Sequence, residues 1–282
     1  MRWPTTWIAW RSITGSIWRE LVRDNISIAA AGVAFYGFLA FVPLLASTVL
    51  IYGLAADPKS IEAVAGNITA VVPGDVASII LEQLKDMITT ASDIKGWALV
   101  FAIATSLYGA MRASSALIAA MNMVHNVDET RSFFRLNALT FVMTLGLIFT
   151  AIFLVVLLST LTTITALIGD SAPTVAWLGR GILLLSAGAV LSLMVAIAYR
   201  VAPNRPRTSW IWITPGSTLA TVGALILTVG FSAYVANFAN YNATYGAMAA
   251  VVIFLLWLYL LAYLFCLGAE LNSQIESYVI PV

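Results

Sequence analysis

The chain has little of what most enzymes and secreted domains are built on. Its 282 residues include one histidine and one cysteine. A lone cysteine, Cys266, excludes a disulfide framework and any zinc site resting on several thiolates. A lone histidine, His125, stands beside Asn126, Asp128 and Glu129 without a second imidazole or an HExxH pattern. Charge is equally sparse: charged residues make up 10% of the chain, where soluble domains carry about 25%. Fourteen Lys and Arg nearly balance thirteen Asp and Glu, which argues against a nucleic-acid-binding surface. No Gly-rich phosphate loop occurs, Ser114 and Ser115 lack the context of a catalytic serine, and no Asp falls within an apolar stretch. Enzyme chemistry is therefore the disfavoured reading, and the residues ask for no cofactor and no metal.

What fills the chain is apolar surface: 61% hydrophobic residues and a mean hydropathy of +0.95. A membrane-spanning helix needs about 20 mostly apolar residues. Six stretches meet that need, near Ile28–Leu54, Gly96–Val124, Leu136–Ile168, Leu178–Ala202, Ile211–Phe238 and Ala247–Leu271. The fold class expected is an all-α polytopic membrane protein, a six-helix transmembrane bundle spanning residues 28–282.

Residues 1–27 read differently. They lack the short apolar core and cleavage site of a secretory signal. As a helix they place Trp7, Trp10, Ile17 and Leu21 on one side and Arg19 and Arg23 roughly opposite, the pattern of an amphipathic helix lying in the cytoplasmic interface. The only long polar insert, residues 57–95, repeats Val76, Ile79, Ile80, Leu84, Met87 and Ile88 at helical spacing after Pro73–Gly74–Asp75. It reads as a helical, outward-facing insert. Orientation follows from the basic residues. Ten arginines fall on the side of the N-terminus and of the second-to-third and fourth-to-fifth connections, whereas Lys59, Lys85, Lys95 and Arg180 fall on the other. Both termini are expected in the cytoplasm, with a bacterial inner membrane as the location.

Ionisable and polar groups inside hydrocarbon are costly and mark candidate sites. Glu270 closes the last span, Arg112 lies in the inner half of the second and Arg200 ends the fourth. A Glu270–Arg112 or Glu270–Arg200 pair is one expectation, with snorkelling arginines and a boundary carboxylate as the plainer alternative. If a pair forms, Glu270→Gln should impair folding or function. Asn237, Asn240, Tyr241, Asn242, Thr244 and Tyr245 cluster between the fifth and sixth spans, either as a binding locus or as a tight polar turn hinged at Gly246. Pro43 interrupts the first span, as a packing kink or as a site where freed backbone lines a cavity. Gly216, Gly223 and Gly230, seven residues apart, read as a face for close helix packing.

Four segments carry a resemblance: Ala30–Leu45 (AAGVAFYGFLAFVPLL), the ALIAAMNMV around Asn122, Ala198–Ser217 (AYRVAPNRPRTSWIWITPGS) and the long Phe238–Asn272 run ending in LGAELN. With these the chain resembles the YihY/BrkB family of bacterial inner-membrane proteins. The resemblance implies six spans with cytoplasmic termini, and picks out Asn122, Tyr199, Arg200, Asn204, Gly216, Tyr241, Asn242, Tyr245, Gly268, Glu270 and Asn272 among the matching positions. At Ala40 this chain departs from the serine frequent in the family, so a hydroxyl role there does not carry over. Some members have worn a ribonuclease label, which these residues do not support; others are described as exporters.

Two functional classes follow. One is a transporter or exporter of a small or amphipathic molecule, lipid included, without its own nucleotide-driven motor. The other is a non-transporting scaffold or partner of an envelope lipid-transport or assembly system. Membrane lipids are partners in both, nucleic acid in neither, and a second copy or an envelope protein is an open partner. A groove between spans one, five and six favours the first class, a solid bundle with a flat apolar patch the second.

Overall fold

The computed structural model describes residues 7–53, 82, 97–168, 173–205, 214–238 and 249–279. These residues are helical apart from short turns: α1 (Trp7–Arg23), α2 (Ile26–Gly53), α3 (Trp97–Val124), α4 (Phe133–Ile168), α5 (Pro173–Val201), α6 (Pro215–Phe238) and α7 (Ala249–Val279). The insert 57–95, Glu82 apart, and the Asn240–Gly246 turn lie outside the described residues. Phe133–Leu154, Pro215–Val235 and Ala249–Ser277 are each long and apolar enough to cross a membrane. Ile13–Arg23 with Ile26–Phe41 passes the same test as a pair bent by 64°, and Leu185–Val201 is a shorter apolar helix. The fold is that of an all-helical membrane protein.

The helix ends explain the bends. Asn25 takes the left-handed conformation, φ 49°, which asparagine tolerates better than other side-chain-bearing residues. Its carbonyl then accepts the first bonds of α2, from the N–H groups of Ile28 (2.8 Å) and Ala29 (3.2 Å). Asn126, φ 51°, closes α3 in the same way. The Val127 N–H reaches back to the Asn122 carbonyl (3.0 Å) and the Asn126 N–H to that of Met123 (3.0 Å), a Schellman cap. The two caps meet: Asn126 Nδ2 donates to Asp24 Oδ2 at 2.9 Å.

α2 and α3 lie against each other, with the Pro43 ring seated where a Cβ on Gly109 would come within 2.8 Å of it. Pro43 stays inside a continuous helix, its ring packed beside Gly109. On its α7 side α2 offers Phe38 and Phe41, whose rings meet Phe254 edge-on at 5.7 and 4.7 Å. The buried core runs through Ile26, Met121, Val124, Tyr199 and Cys266, where α2, α3, α5 and α7 converge.

α1 departs from expectation. Ile13 and Ile17 are buried against Ile275, with Leu21 and Leu271 packed alongside. Over this stretch its apolar side packs on α7. The reason is that α7 continues past Leu271 to Val279 and presents Leu271 and Ile275 at helical spacing. Arg11 and Arg19 remain exposed, whereas the side chains of Trp7 and Trp10 lie outside the described residues.

Candidate functional site

The densest polar structure sits where the arginine-bearing ends of the helices meet, and asparagines hold it together. Asn122, buried in the last turn of α3, donates from Nδ2 to Glu129 Oε2 (2.9 Å) and accepts at Oδ1 from the Asn204 N–H (2.8 Å). Asn204 in turn donates from Nδ2 to the Asp128 carbonyl and Thr130 Oγ1, both at 2.8 Å. Arg131 completes the ring. Its Nη2 donates to the Ala202 carbonyl at 2.8 Å and its Nε to Asn204 Oδ1 at 3.3 Å, while Glu129 Oε1 accepts its backbone N–H at 3.0 Å. The end of α5 is thereby fastened to the α3–α4 connection. His125 lies beside this ring; burial, then the nearby Arg205 guanidinium, push its imidazole down to about 3, so it is neutral near pH 7.

A second polar knot fixes α6 against α7. Thr214 and Ser217 cap the start of α6 reciprocally, Ser217 N–H to Thr214 Oγ1 (3.1 Å) and Thr214 N–H to Ser217 Oγ (3.0 Å), with Pro215 at the first helical position. Asn272 of α7 joins the cap, accepting from the Gly216 N–H and donating to Thr214 Oγ1, both at 2.9 Å. Such a small-residue approach is possible only because Gly216 faces Gly268 across the contact. A Cβ on Gly268 would lie 2.5 Å from both the Gly216 carbonyl oxygen and Tyr199 Oη. Tyr199 Oη donates to the Phe265 carbonyl at 2.6 Å, tying α5 to the same turn of α7. Farther out, Arg205 grips Glu276 through two contacts of 2.6 and 3.5 Å.

Between these knots lies Glu270, 1% exposed. Gln274 Nε2 donates to its Oε1 at 2.8 Å, and its Oε2 is buried without a hydrogen-bond partner. The charges that act on it come from Asp24, Glu20 and Arg23 at the α1–α2 bend. The expected pairing with an arginine of the bundle is thus corrected. Arg112 lies twelve residues up α3 on its exposed face and turns back onto Tyr108, away from α7. Arg200, half-buried at the end of α5, is not among the charges acting on Glu270.

Glu270→Gln therefore removes a charge that no bundle arginine balances and keeps an acceptor for Gln274. The melting temperature of the detergent-solubilised variant is expected to hold or to rise, by about 2–4 °C for 1 kcal/mol in a chain of this size. A fall of that size would mean that a cation does pair with the carboxylate.

The candidates read from the sequence are not gathered in one place. Pro43 and Arg112 lie along the bundle, Arg200 and Glu270 at its arginine-bearing end. Asn237 closes α6 with its side chain outside the described residues, as are Asn240, Tyr241, Asn242 and Tyr245. A cavity of about 330 Å³ lies among α3, α4, α5 and α7, lined by Leu117, Met143, Gly146, Thr150, Met194, Ala198 and Phe265. Val142, 62% exposed, forms part of its outer edge. A Cβ on Gly146 would meet nothing within 4 Å, so this wall has room to spare.

Long apolar helices, outward-facing apolar side chains and polar knots at the helix ends define an α-helical membrane protein. The chain belongs to the Virulence factor BrkB family, whose model matches residues 17–279. It is 29% identical over 257 residues to the ribonuclease-like protein YfkH of Bacillus subtilis, covering 88% of this chain and 89% of that one. It is 30% identical over 282 residues to a UPF0761 membrane protein of Alteromonas mediterranea (94% and 88% covered). A UPF0761 membrane protein of Pseudoalteromonas atlantica is 28% identical over 268 residues (91% and 83% covered). No solved structure matches the chain.

Proposed function

We propose that this chain is a six-span protein of the bacterial inner membrane, both termini cytoplasmic, that moves an amphipathic molecule of the lipid class between membrane and solvent or between leaflets. The observation that carries the reading is the apolar cavity among α3, α4, α5 and α7. Its volume is at the lower end of ligand pockets, about 300–1,000 Å³. Its lining is apolar apart from Thr150, and its edge at Val142 opens to where acyl chains lie. Such a recess accepts a chain-like apolar body and offers little to a sugar or a nucleotide. With no nucleotide-binding motif in the sequence, the driving force is a gradient, a partner or mass action. The ribonuclease-like name belongs to the Bacillus subtilis relative. Among the described residues no three His, Cys, Asp or Glu side chains converge to hold a metal ion, and we do not extend an enzyme role to this chain.

The test is movement of a fluorescent phospholipid in reconstituted vesicles. A reductant added outside should bleach more label with protein than in protein-free vesicles. Gly146→Leu, which fills the cavity from the side with open space, should bring bleaching back to the protein-free plateau while leaving thermal stability intact. No movement in either case would favour the scaffold reading.

The orientation has its own test. In a chain lacking Cys266, single cysteines at Ser60 and Ser132 should respond oppositely to an impermeant thiol reagent in intact cells. Equal labelling would defeat the proposed topology.

A further inference from the structure

The outer face of α3 presents Phe101, Thr105, Tyr108, Arg112 and Ser115, all exposed, as one stripe beginning at Trp97. Arg112 is the only charged residue of this 28-residue helix. Helical side chains lean towards the N-terminus, and Arg112 does so: Nη2 donates to Tyr108 Oη at 2.7 Å, and the guanidinium carbon lies 5.2 Å from the Tyr108 ring centroid. The cation is thus held near the level of Tyr108. At 1.5 Å per residue that level is about 16 Å from Trp97 and about 24 Å from Val124. With an indole at the interface and about 30 Å of hydrocarbon, the guanidinium stands near mid-depth. From there neither membrane surface is within reach of the side chain.

A guanidinium has five N–H donors, and Tyr108 Oη takes one. Among the described residues Arg112 meets no acidic side chain, and on the exposed face of α3, where water is scarce, its remaining donors need an acceptor from beyond the described helices. A second copy docked face to face is a poor source, because a two-fold contact opposes the same patch to itself. It would set Arg112 against Arg112, and α3 contains no acidic residue to intervene. An amphipath carries its acceptor to this depth together with its own apolar tail.

We infer that Tyr108 and Arg112 form a binding site for the phosphate or carboxylate headgroup of an anionic amphipath, reached along the outer face of α3. A headgroup at mid-depth is one in transit, so the inference names a substrate class and rests on the transport reading. Ser115 adds an exposed hydroxyl group beside the cation, whereas Thr105 Oγ1 donates to the Phe101 carbonyl at 2.8 Å.

The experiment has two arms, on purified full-length protein. The first measures by native mass spectrometry how much phosphatidylglycerol, against phosphatidylcholine, is retained from mixed micelles. Wild type should prefer phosphatidylglycerol; Arg112→Gln should lose that preference by about tenfold, the worth of a charge-assisted hydrogen bond. Arg112→Lys should keep part of it, Tyr108→Phe should weaken it, and Arg135→Gln, at the exposed start of α4, should leave it unchanged. The second arm follows movement of the two lipids, labelled, in vesicles. Retention that depends on Arg112 without movement of either lipid upholds the site and defeats transport. Movement of both lipids alike, with Arg112→Gln unaffected in both arms, upholds transport and overturns the site. Displacement by millimolar inorganic phosphate would make this a site for a free anion and overturn the inference. So would efficient disulfide cross-linking between copies through cysteine at Ser115, by showing that a second chain covers the face.

Discussion

Gly268→Ala is expected to abolish recovery of folded protein. Its new Cβ would lie 2.5 Å from the Gly216 carbonyl oxygen and 2.5 Å from Tyr199 Oη. One obstacle is backbone and the other is a hydroxyl already committed at 2.6 Å to the Phe265 carbonyl, so no flexible side-chain end is available to yield. Gly216→Ala meets the same wall from the other side, because its Cβ would be driven onto the Gly268 carbonyl oxygen and would also crowd Asn272 at 2.7 Å. Relief requires moving α6 away from α7, which breaks the Asn272 bonds to Gly216 and Thr214. Overpacking of side chains costs about 1–3 kcal/mol; a backbone-to-backbone clash belongs above that range. The check is size-exclusion chromatography and thermal unfolding in detergent, with Gly230→Ala as the control, since a Cβ there meets nothing within 4 Å. Normal yield and melting of Gly268→Ala would mean that the two helices do not approach as described.

The contrast among these glycines shows where sequence reading succeeds. The seven-residue spacing of Gly216, Gly223 and Gly230 rightly marks a packing face at its first two members, Gly223 lying against Leu264. It fails at Gly230, because period alone does not say where two helices diverge. The long helices were legible from composition: α2 to α7 overlap the six stretches, and α4, α6 and α7 each hold a segment long and apolar enough to cross a membrane. The end of α7 was not. Asn272, Ser273, Gln274, Glu276 and Ser277 look like a solvated tail until Ile275 is seen between Ile13 and Ile17.

Glu270 illustrates the same boundary. Its burial could be inferred from depth, but the charges that act on it could not, because Asp24, Glu20 and Arg23 lie some 250 residues away in sequence. For Arg112 the sequence left two readings open, a pair with Glu270 or a side chain turned to lipid, and its exposed place on α3 beside Tyr108 agrees with the second. Asn122, Asn204 and Asn272 drew notice only through the family resemblance, since an asparagine near a helix end reads as a cap and its long-range partner is invisible in one chain.

Asn122→Asp should therefore be more damaging than Asn122→Ala, although it changes fewer atoms. In the native ring Asn122 Nδ2 donates to Glu129 Oε2 at 2.9 Å while Oδ1 accepts from the Asn204 N–H. Alanine removes both bonds and leaves the Asn204 N–H without its partner in the α5 end. A buried unsatisfied group of that kind costs about 1–3 kcal/mol, with the lost donor to a carboxylate added. Aspartate keeps the acceptor for Asn204 but replaces the donor by a carboxylate oxygen pressed against that of Glu129. Near neutral pH the two like charges repel at hydrogen-bond distance in a partly buried site, and one of them must take up a proton or the ring must open. Glu129→Gln in the Asn122→Asp background restores a donor between the two positions and should recover most of the loss. Glu129→Gln alone should also destabilise, because its one amide oxygen cannot accept from both Asn122 Nδ2 and the Arg131 N–H as the two carboxylate oxygens do. Thermal melting of the four proteins, run as a double-mutant cycle, measures the coupling directly. Additive effects, with aspartate no worse than alanine, would show that Asn122 and Glu129 do not meet. The α3–α4 connection would then be held to the end of α5 by Arg131 and by the Asn204 bonds to Asp128 and Thr130.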